Sequence, residues 1–331
     1  MWNLRLTAAI NCTEDFKPEK KIFKPKHELP HLSDYKHGAP QHFWDKFPVN
    51  KATVGKSSIN PKKLMDLALG LGCSDWDRLN TVINDIESGC DIGCQGPARE
   101  PTKSSNAPSA FQFAEQITDS IADWLEAGFA AGPFTADQVP PDAKISGIMC
   151  REKPNGSARI ILNLSAPLGQ SVNDGIRSSD FPTTMSSTTK WIAVLNKAGK
   201  GCLFFKADWS VAYKHLHVRP LDTSLQWFSW LDRFFVELNL VFGSRSSAGL
   251  FDRLAKAILD LAIRLAKFSP DMVCQYLDDI SAAGPEGCQA LFEFEEAYRQ
   301  VAAEIGVTLA PTSDPEKAFS PTTSGVVLGI H

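Results

Sequence analysis

The sequence predicts an α+β protein whose sheet is antiparallel. Apolar residues recur at helical spacing in several long segments, and shorter segments alternate in the manner of strands. Turn residues at 153–156, 232–233 and 278–279 join neighbouring strand segments as hairpins. Helices mixed with hairpin-connected strands are typical of α+β folds, because parallel strands need a long crossover connection instead.

The first third of the chain is divided by its composition. Residues 1–60 combine lysine and proline with little apolar periodicity, which predicts a poorly ordered basic tail. Residues 63–89 have the apolar spacing of one or two short helices, and turn-forming residues then dominate up to Pro108. We therefore expect short helices and a linker over 61–108, with a domain boundary near Pro108.

From residue 109 onward the apolar pattern is denser and predicts one folded region, 109–331. The predicted helices are 111–129, which Gly132-Pro133 would stop, and 186–197, 246–268 and 291–305. The predicted strands are 145–150, 158–164, 202–207, 225–231, 234–240, the two arms of a hairpin over 272–282, and 326–330.

Composition narrows the class of protein. Of the 331 residues, 43% are hydrophobic and 22% are charged, and no apolar run approaches the roughly 18 residues of a membrane helix. The N-terminus has no signal-peptide pattern, and eight cysteines are too few for a disulfide scaffold in a chain of this length. We expect an intracellular protein, cytoplasmic or nuclear, that is not secreted.

Charge is distributed unevenly along the chain. The net charge is −4, but residues 151–270 hold 16 basic and 9 acidic residues and therefore carry +7. The flanking segments 61–150 and 271–331 carry −7 and −8. A basic block between acidic ones is compatible with a surface for a polyanion, although alternation of this size also arises by chance.

Three aspartates carry the clearest chemical signal. Asp208 follows an apolar strand, and Asp278 and Asp279 stand at the tip of a predicted hairpin. Carboxylates in such places are costly to desolvate unless a cation or hydrogen-bond donors compensate them. Together the three would suit Mg²⁺, and two such ions can promote an in-line displacement at phosphorus. A plainer interpretation is that Asp278-Asp279 is a turn and Asp208 a helix cap.

Six segments, in a fixed order, include or surround these aspartates. They are 153–164, Asp208-Trp-Ser-Val-Ala-Tyr213, Gly243-Ser-Arg-Ser-Ser-Ala-Gly249, Tyr276-Leu-Asp-Asp279, 306–319 and 327–330. In this order they resemble the fingers hairpin and motifs A, B, C, D and E of reverse transcriptases. Short stretches between 165 and 187 look most like retroelements of the DIRS type, which carry a tyrosine recombinase.

The resemblance implies a fold, a reaction and partners. The fold would be a right-hand polymerase with an antiparallel palm sheet and a fingers region, and the chain would stop before a thumb, as a truncated product does. The reaction would be RNA-directed DNA synthesis by a retrotransposon enzyme that adds dNTPs to a primer 3′-hydroxyl. The partners would be an RNA or DNA template with its primer, dNTPs, and two Mg²⁺ ions, with Mn²⁺ as a substitute, and no membrane.

The resemblance also implies roles for individual residues. The metal ligands would be Asp208, Asp278 and Asp279, and the general acid would be Lys317. The nucleotide-binding residues would be Lys153 and Arg159 on the triphosphate, Trp209 through its carbonyl, Tyr213 under the sugar, and Phe242 and Gly243 in the motif B segment. Plainer interpretations are a core aromatic for Tyr213, a solvated hairpin for Lys153 and Arg159, a helix-start glycine for Gly243 and a surface lysine for Lys317.

Two other functions stay open at this point. A catalytically silent or host-retained module that binds nucleic acid or protein is compatible with a chain that has no thumb. A metal-dependent nuclease could use the same carboxylates, but Lys153, Arg159 and Tyr213 suit a bound nucleoside triphosphate better than hydrolysis. Motif B also departs from its usual form, because Val241 and Ala248 stand where relatives have prolines.

Overall fold

Two β-sheets organise the part of the chain that the structure describes. The structure is a computed structural model, and it describes Lys26, residues 38–153 and residues 155–330. Most of the predicted basic tail, residues 1–25 and 27–37, lies outside the described residues. Helices and strands are intermingled along the chain, so the predicted α+β class is confirmed.

The elements follow the predicted order closely. The α-helices of the described residues are α1 (Gln41–Trp44), α2 (Pro61–Leu71), α3 (Trp76–Ser88), α4 (Pro108–Gln112), α5 (Ala114–Glu126), α6 (Thr188–Ala198), α7 (Ser247–Ala266) and α8 (Gln289–Ile305). The strands are β1 (Ala130–Phe134), β2 (Ile145–Glu152), β3 (Ala158–Asn163), β4 (Leu203–Asp208), β5 (Trp227–Trp230), β6 (Arg233–Glu237), β7 (Val273–Tyr276), β8 (Asp279–Gly284) and β9 (Phe319–Thr322).

The first sheet has the strand order β1-β6-β5-β2-β3. Its two predicted hairpins, β2–β3 and β5–β6, are confirmed as antiparallel pairs. The hairpins join through a short parallel pairing in which Ile145 lies opposite Trp227. The expectation of a purely antiparallel sheet therefore fails at this one pair, because the long connection between β3 and β5 lets the second hairpin return in the same direction as β2.

The second sheet has the order β7-β8-β4-β9, and all its pairs are antiparallel. The register between β4 and β8 places Asp208 opposite Asp279. On the face away from these residues, α8 covers the sheet, with the ring of Phe294 5.7 Å from that of Phe205 on β4. The helix α7 packs beside α8. The sequence predicts that Leu250, Leu254, Ile258, Leu261 and Leu265 face inward; the first four are buried, and Leu265 is half-buried against the core.

The predicted helix at 111–129 needs correction. The predicted helix 111–129 is divided at Phe113, whose backbone is not helical, and it ends at Glu126 because Gly128 turns the chain with a φ of +75°. The segment containing Gly132-Pro133 then forms β1.

The predicted strand 326–330 is a tight turn. Val327 and Ile330 exchange two 2.9 Å backbone hydrogen bonds, and Leu328 and Gly329 between them both have positive φ, as a two-residue hairpin turn requires. The last strand of the described chain is β9, which the sequence pattern did not predict.

Residues 38–60 also differ from the expected poorly ordered tail. Phe43, Trp44 and Phe47 are buried, and their rings lie between 4.9 and 5.7 Å from one another. The indole Nε1 of Trp44 donates a 2.9 Å hydrogen bond to Oδ1 of Asp232 in the β5–β6 turn. Three aromatic side chains within five residues bury enough apolar surface to order this segment despite its prolines and lysines.

None of the helices among the described residues combines the length and the apolar character that crossing a membrane requires.

A buried carboxyl on α3 predicts an unusual pH dependence of stability. Asp85 is 7% exposed, and burial raises its pKa from the ordinary 3.8 to about 6. Between these two pH values the folded protein holds a proton that the unfolded chain has released, so stability falls as pH rises through this window. We expect the loss to reach about 3 kcal/mol at most, at about 1.4 kcal/mol per pKa unit.

The substitution Asp85→Asn is expected to remove this part of the pH dependence in urea unfolding measured from pH 4 to 7. The variant Asp77→Asn, at an exposed position on the same helix, is its control and should keep the wild-type slope. An Asp85→Asn protein with the wild-type slope would contradict the assignment.

Candidate active site

The end of the second sheet brings the three predicted acidic residues together. Asp208 ends β4 and lies opposite Asp279, the first residue of β8. Asp278 lies in the turn between β7 and β8, and its carbonyl accepts a 3.2 Å hydrogen bond from the backbone N–H of Trp209. The preceding residue, Leu277, has a φ of +53°, a strained conformation for a side chain that branches beyond Cβ. Strained turns of this kind cluster at functional sites.

The carboxyl groups of Asp208 and Asp278 are partly desolvated and repel one another. Burial, reinforced first by the negative charge of Asp278, raises the pKa of Asp208 to about 7. Burial also raises the pKa of Asp278, with the charge of Asp279 acting in the same direction. A bound cation would relieve the repulsion, and such a perturbed pair is typical of a functional site.

Two lysines lie against this acidic group. Nζ of Lys317 is 3.7 Å from Oδ1 of Asp208, and Nζ of Lys206 is 3.1 Å from Oδ1 of Asp279. Lys317 is one of the residues predicted from the sequence, whereas Lys206 is not. Its position two residues before Asp208 on an apolar strand was the available signal, since residues i and i+2 of a strand share a face.

The acidic pair fits magnesium in its chemistry, although not as a closed three-carboxylate cage. Asp208 and Asp278 offer the oxygen ligands that Mg²⁺ prefers, in a place where negative charge is poorly compensated. Among the described residues, however, no three His, Cys, Asp or Glu side chains are arranged to hold a metal ion. The carboxylate of Asp279 is engaged by Lys206 instead.

Positive charge from the β2–β3 hairpin faces the same centre. Burial lowers the pKa of Lys153, and the positive charges of Arg159 and Lys317 lower it further. Arg159 in turn helps to hold down the pKa of Asp278. Lys317 lies 3.7 Å from Asp208, the charge of Arg159 acts on Asp278, and Lys153 lies near both cations. Such a group of positive charges next to an acidic pair is suited to an anion.

An aromatic wall adjoins the cations. The ring of Tyr213 lies 4.7 Å from that of Phe242, and the guanidinium of Arg159 lies 5.5 Å from the Phe242 ring. Burial, together with the negative charge of Asp278, raises the pKa of Tyr213 to about 12, so its hydroxyl stays protonated at neutral pH. Behind this pair lies an apolar cavity of about 140 Å³, whose walls include Ile160, Leu162 and Phe228.

Gly243 and Trp209 have clear structural roles. At Gly243 φ is +114°, and a Cβ would overlap the carbonyl oxygen of Leu162 on β3, so the close approach of β3 is by itself a reason for glycine at this position. The indole of Trp209 is buried and donates a 2.6 Å hydrogen bond to the hydroxyl of Tyr298. Nucleotide contact by Gly243 and metal coordination by the Trp209 carbonyl stay predictions.

Comparison with known proteins places the fold. No family model matches the sequence, and no curated protein matches it. A foamy viral protease-reverse transcriptase solved with double-stranded DNA is 18% identical over 92% of this chain and 55% of its own, with a TM-score of 0.50. The same kind of protein solved with an RNA/DNA hybrid is 16% identical; the match covers 88% of this chain and 34% of that protein, with a TM-score of 0.47. The native prototype foamy virus protease-reverse transcriptase is 15% identical; the match covers 77% of this chain and 33% of that protein, with a TM-score of 0.46.

The chain thus spans between 33% and 55% of the length of these three proteins. At these identities the likeness concerns the fold. On the match to the foamy viral enzyme solved with double-stranded DNA, the chain has a reverse transcriptase-like fold.

Proposed function

We propose that this chain is the polymerase domain of a retroelement reverse transcriptase of the DIRS type. In this proposal the second sheet is the palm, the first sheet belongs to the fingers, and the chain copies an RNA template into DNA. One observation carries the proposal: the end of the second sheet brings Asp208, Asp278 and Asp279 together. The positive charges of Lys317 and Arg159 act on the same acidic group, and Lys153 lies near both cations. A divalent cation on the acids and a triphosphate on the lysines and arginine would satisfy both sets of charges.

The acidic pair would hold the catalytic ions. Asp208 and Asp278 would be their ligands, and Asp279 would support them from the neighbouring strand position. When bound, two magnesium ions would supply Lewis-acid stabilisation of both the attacking and the leaving oxygen. The protein itself contributes two carboxyl groups whose ionised forms are disfavoured when no cation is bound. Burial raises both pKa values, and the charge of Asp278 raises that of Asp208 further.

The cations and Tyr213 would bind and select the nucleotide. Arg159 can grip phosphate oxygens with two N–H groups, and Lys153 contributes a mobile point charge. The primer 3′-hydroxyl would lose its proton to water and attack the α-phosphate, and the bond to the leaving pyrophosphate would break. Lys317, 3.7 Å from Asp208, would give its proton to that leaving group.

Removal of the Tyr213 ring is expected to relax the choice of sugar. Its ring is packed on Phe242 and on Phe251, 5.8 Å away, so it cannot easily move aside for a 2′-hydroxyl. We expect Tyr213→Ala to narrow the preference for dNTP over rNTP by about 10- to 200-fold, measured as the ratio of kcat/KM values. Tyr213→Phe keeps the ring and should keep the preference. An unchanged ratio in Tyr213→Ala would contradict this role.

The function is tested by primer extension with the full chain. On a primed RNA template with dNTPs and Mg²⁺, we expect the wild type to extend the primer and Asp278→Asn to lose that activity. Equal incorporation by both proteins would overturn the proposal, because the activity would then come from elsewhere.

A second candidate function is nucleic-acid binding without incorporation. It is favoured by one observation: among the described residues no three His, Cys, Asp or Glu side chains are placed to hold a metal ion, and Asp279 is paired with Lys206. The basic block 151–270 would supply the binding surface. Salt-dependent binding of primer–template by a wild type that incorporates no nucleotide selects this function.

A further inference from the structure

Lys206 is a buried lysine in the middle strand of the proposed palm. Its residue is 8% exposed, and its neighbours across β4 are Ser281 on β8 and Phe319 on β9. Paired residues of an antiparallel sheet point to the same face, and so do residues two apart along one strand. Lys206 therefore shares its face with Asp208 and Asp279, and the 3.1 Å contact with Asp279 is a diagonal pair across two strands.

The same ammonium group makes a second contact. Nζ of Lys206 donates a 3.1 Å hydrogen bond to the backbone carbonyl of Glu316. The next residue is Lys317, whose own ammonium lies 3.7 Å from Asp208. One buried cation thus connects the carboxylate of Asp279 to the loop that presents Lys317.

An apolar side chain would serve packing alone better than a lysine does. A buried ammonium is costly unless it is paired and hydrogen-bonded, and the other central positions of this strand, Phe204, Phe205 and Ala207, are apolar. Both partners of Lys206 belong to the candidate site, the carboxylate of Asp279 directly and the carbonyl of Glu316 through its loop. The contacts of this lysine are therefore those of a residue that orients site groups.

We propose that Lys206 is a positioning residue of the polymerase site, which holds the Asp279 carboxylate by its ammonium and anchors the loop that carries Lys317. The inference rests on the proposed function and deepens it, because it separates the roles of the three aspartates. Asp208 and Asp278 would bind the cations directly, and Asp279, held by Lys206, would support them from the neighbouring strand position. The positive charge of Lys206 lies beside the metal ligands and therefore weakens the binding of a cation. Its hydrogen bond to the Glu316 carbonyl keeps the loop in place when no metal is bound.

The test compares Lys206→Met, which keeps the length of the side chain without its charge, with Lys206→Arg, which keeps the charge. The control is Lys197→Met, because Lys197 is exposed on α6 and its ion pair is with the exposed Asp271. Three quantities are measured on the full chain: the dissociation constant for Mn²⁺ without nucleic acid, the metal-free melting temperature, and kcat and KM in primer extension.

For Lys206→Met we expect tighter Mn²⁺ binding, a lower metal-free melting temperature that Mn²⁺ restores, and a kcat reduced about 10- to 100-fold with little change in KM for the primer–template. Lys206→Arg should retain most of the wild-type kcat, and Lys197→Met should match the wild type. If Lys206 served stability alone, its replacement would partly unfold the site, and both the Mn²⁺ affinity and kcat would fall. Tighter Mn²⁺ binding together with a lower kcat therefore distinguishes a positioning role from a structural one.

A folded Lys206→Met protein with wild-type kcat and wild-type Mn²⁺ affinity would overturn the proposal. Should this variant fail to fold, Lys206→Met combined with Asp279→Asn removes the uncompensated carboxylate, and the double variant is expected to fold and to keep the low kcat. Full kcat in the double variant would also overturn the proposal. If the wild type incorporates no nucleotide, the proposed function fails, while the Mn²⁺ affinity of Lys206→Met still decides whether Lys206 restrains the acidic group.

Discussion

Asp208→Asn is expected to reduce nucleotide incorporation by at least about 10³-fold. Asp208 lies at the centre of the proposed site. The charges of Asp278 and Asp279 both raise its pKa, and Nζ of Lys317 lies 3.7 Å from its carboxylate. An amide keeps the shape of the side chain but removes the charge that would hold a divalent cation. The measurement is single-turnover primer extension at saturating Mg²⁺.

The same substitution is expected to leave the metal-free protein at least as stable as the wild type. Burial and neighbouring negative charge raise the pKa of Asp208 to about 7, so its ionised form opposes folding at neutral pH. Asp271→Asn, at an exposed position, is the matched control and should preserve both activity and stability. Incorporation by Asp208→Asn above a tenth of the wild-type rate would show that the chemistry does not depend on this group.

Gly243→Ala is expected to destabilise the fold by about 3 kcal/mol or more. Two independent penalties add at this position. A φ of +114° is strained for any residue with a Cβ, and that Cβ would overlap the carbonyl oxygen of Leu162. The clash cannot relax cheaply, because Leu162 N–H is bonded to the Phe242 carbonyl at 3.0 Å and Asn173 Nδ2 to the Gly243 carbonyl at 2.8 Å.

The urea midpoint of Gly243→Ala measures this effect. Gly287→Ala is the control, because Gly287 also has a positive φ, +70°, but its Cβ would meet nothing within 4 Å. It should lose only about 1 kcal/mol from backbone strain. Equal losses in the two variants would mean that the approach of β3 to Gly243 carries no cost.

Local periodicity was sufficient to predict most elements. The apolar stripe of α7 and the turn residues of the β2–β3 and β5–β6 hairpins are properties of neighbouring residues, so they can be read without knowing what packs on them. The prediction of a strand at 326–330 failed because an apolar run does not reveal that Leu328 and Gly329 adopt positive φ. The burial of Phe43, Trp44 and Phe47 depends on contacts with distant residues such as Asp232 and Phe235.

The candidate site divides in the same way. Asp208, Asp278 and Asp279 were singled out because they lie beside apolar strands, where an ionised side chain is costly, but their predicted role as metal ligands came from the resemblance to reverse transcriptase motifs A and C. Lys206 was missed because nothing near it in sequence shows that it lies diagonally opposite Asp279. The sequence likewise did not show why position 243 requires glycine, because the atom that a Cβ would overlap belongs to Leu162, about eighty residues earlier in the chain.

The sequence by itself determined the order of the helices and hairpins. It also identified the acidic, basic and aromatic residues whose side chains can bind ligands or take part in catalysis. Side-chain periodicity and turn chemistry act over a few residues, so one chain suffices to read them. Only the tertiary structure decided that β4 pairs with β8 in a register that sets Asp208 against Asp279 and leaves Lys206 to hold Asp279. Register is set by which faces become buried when distant strands meet, and a shift of one residue would turn every one of these side chains to the opposite face.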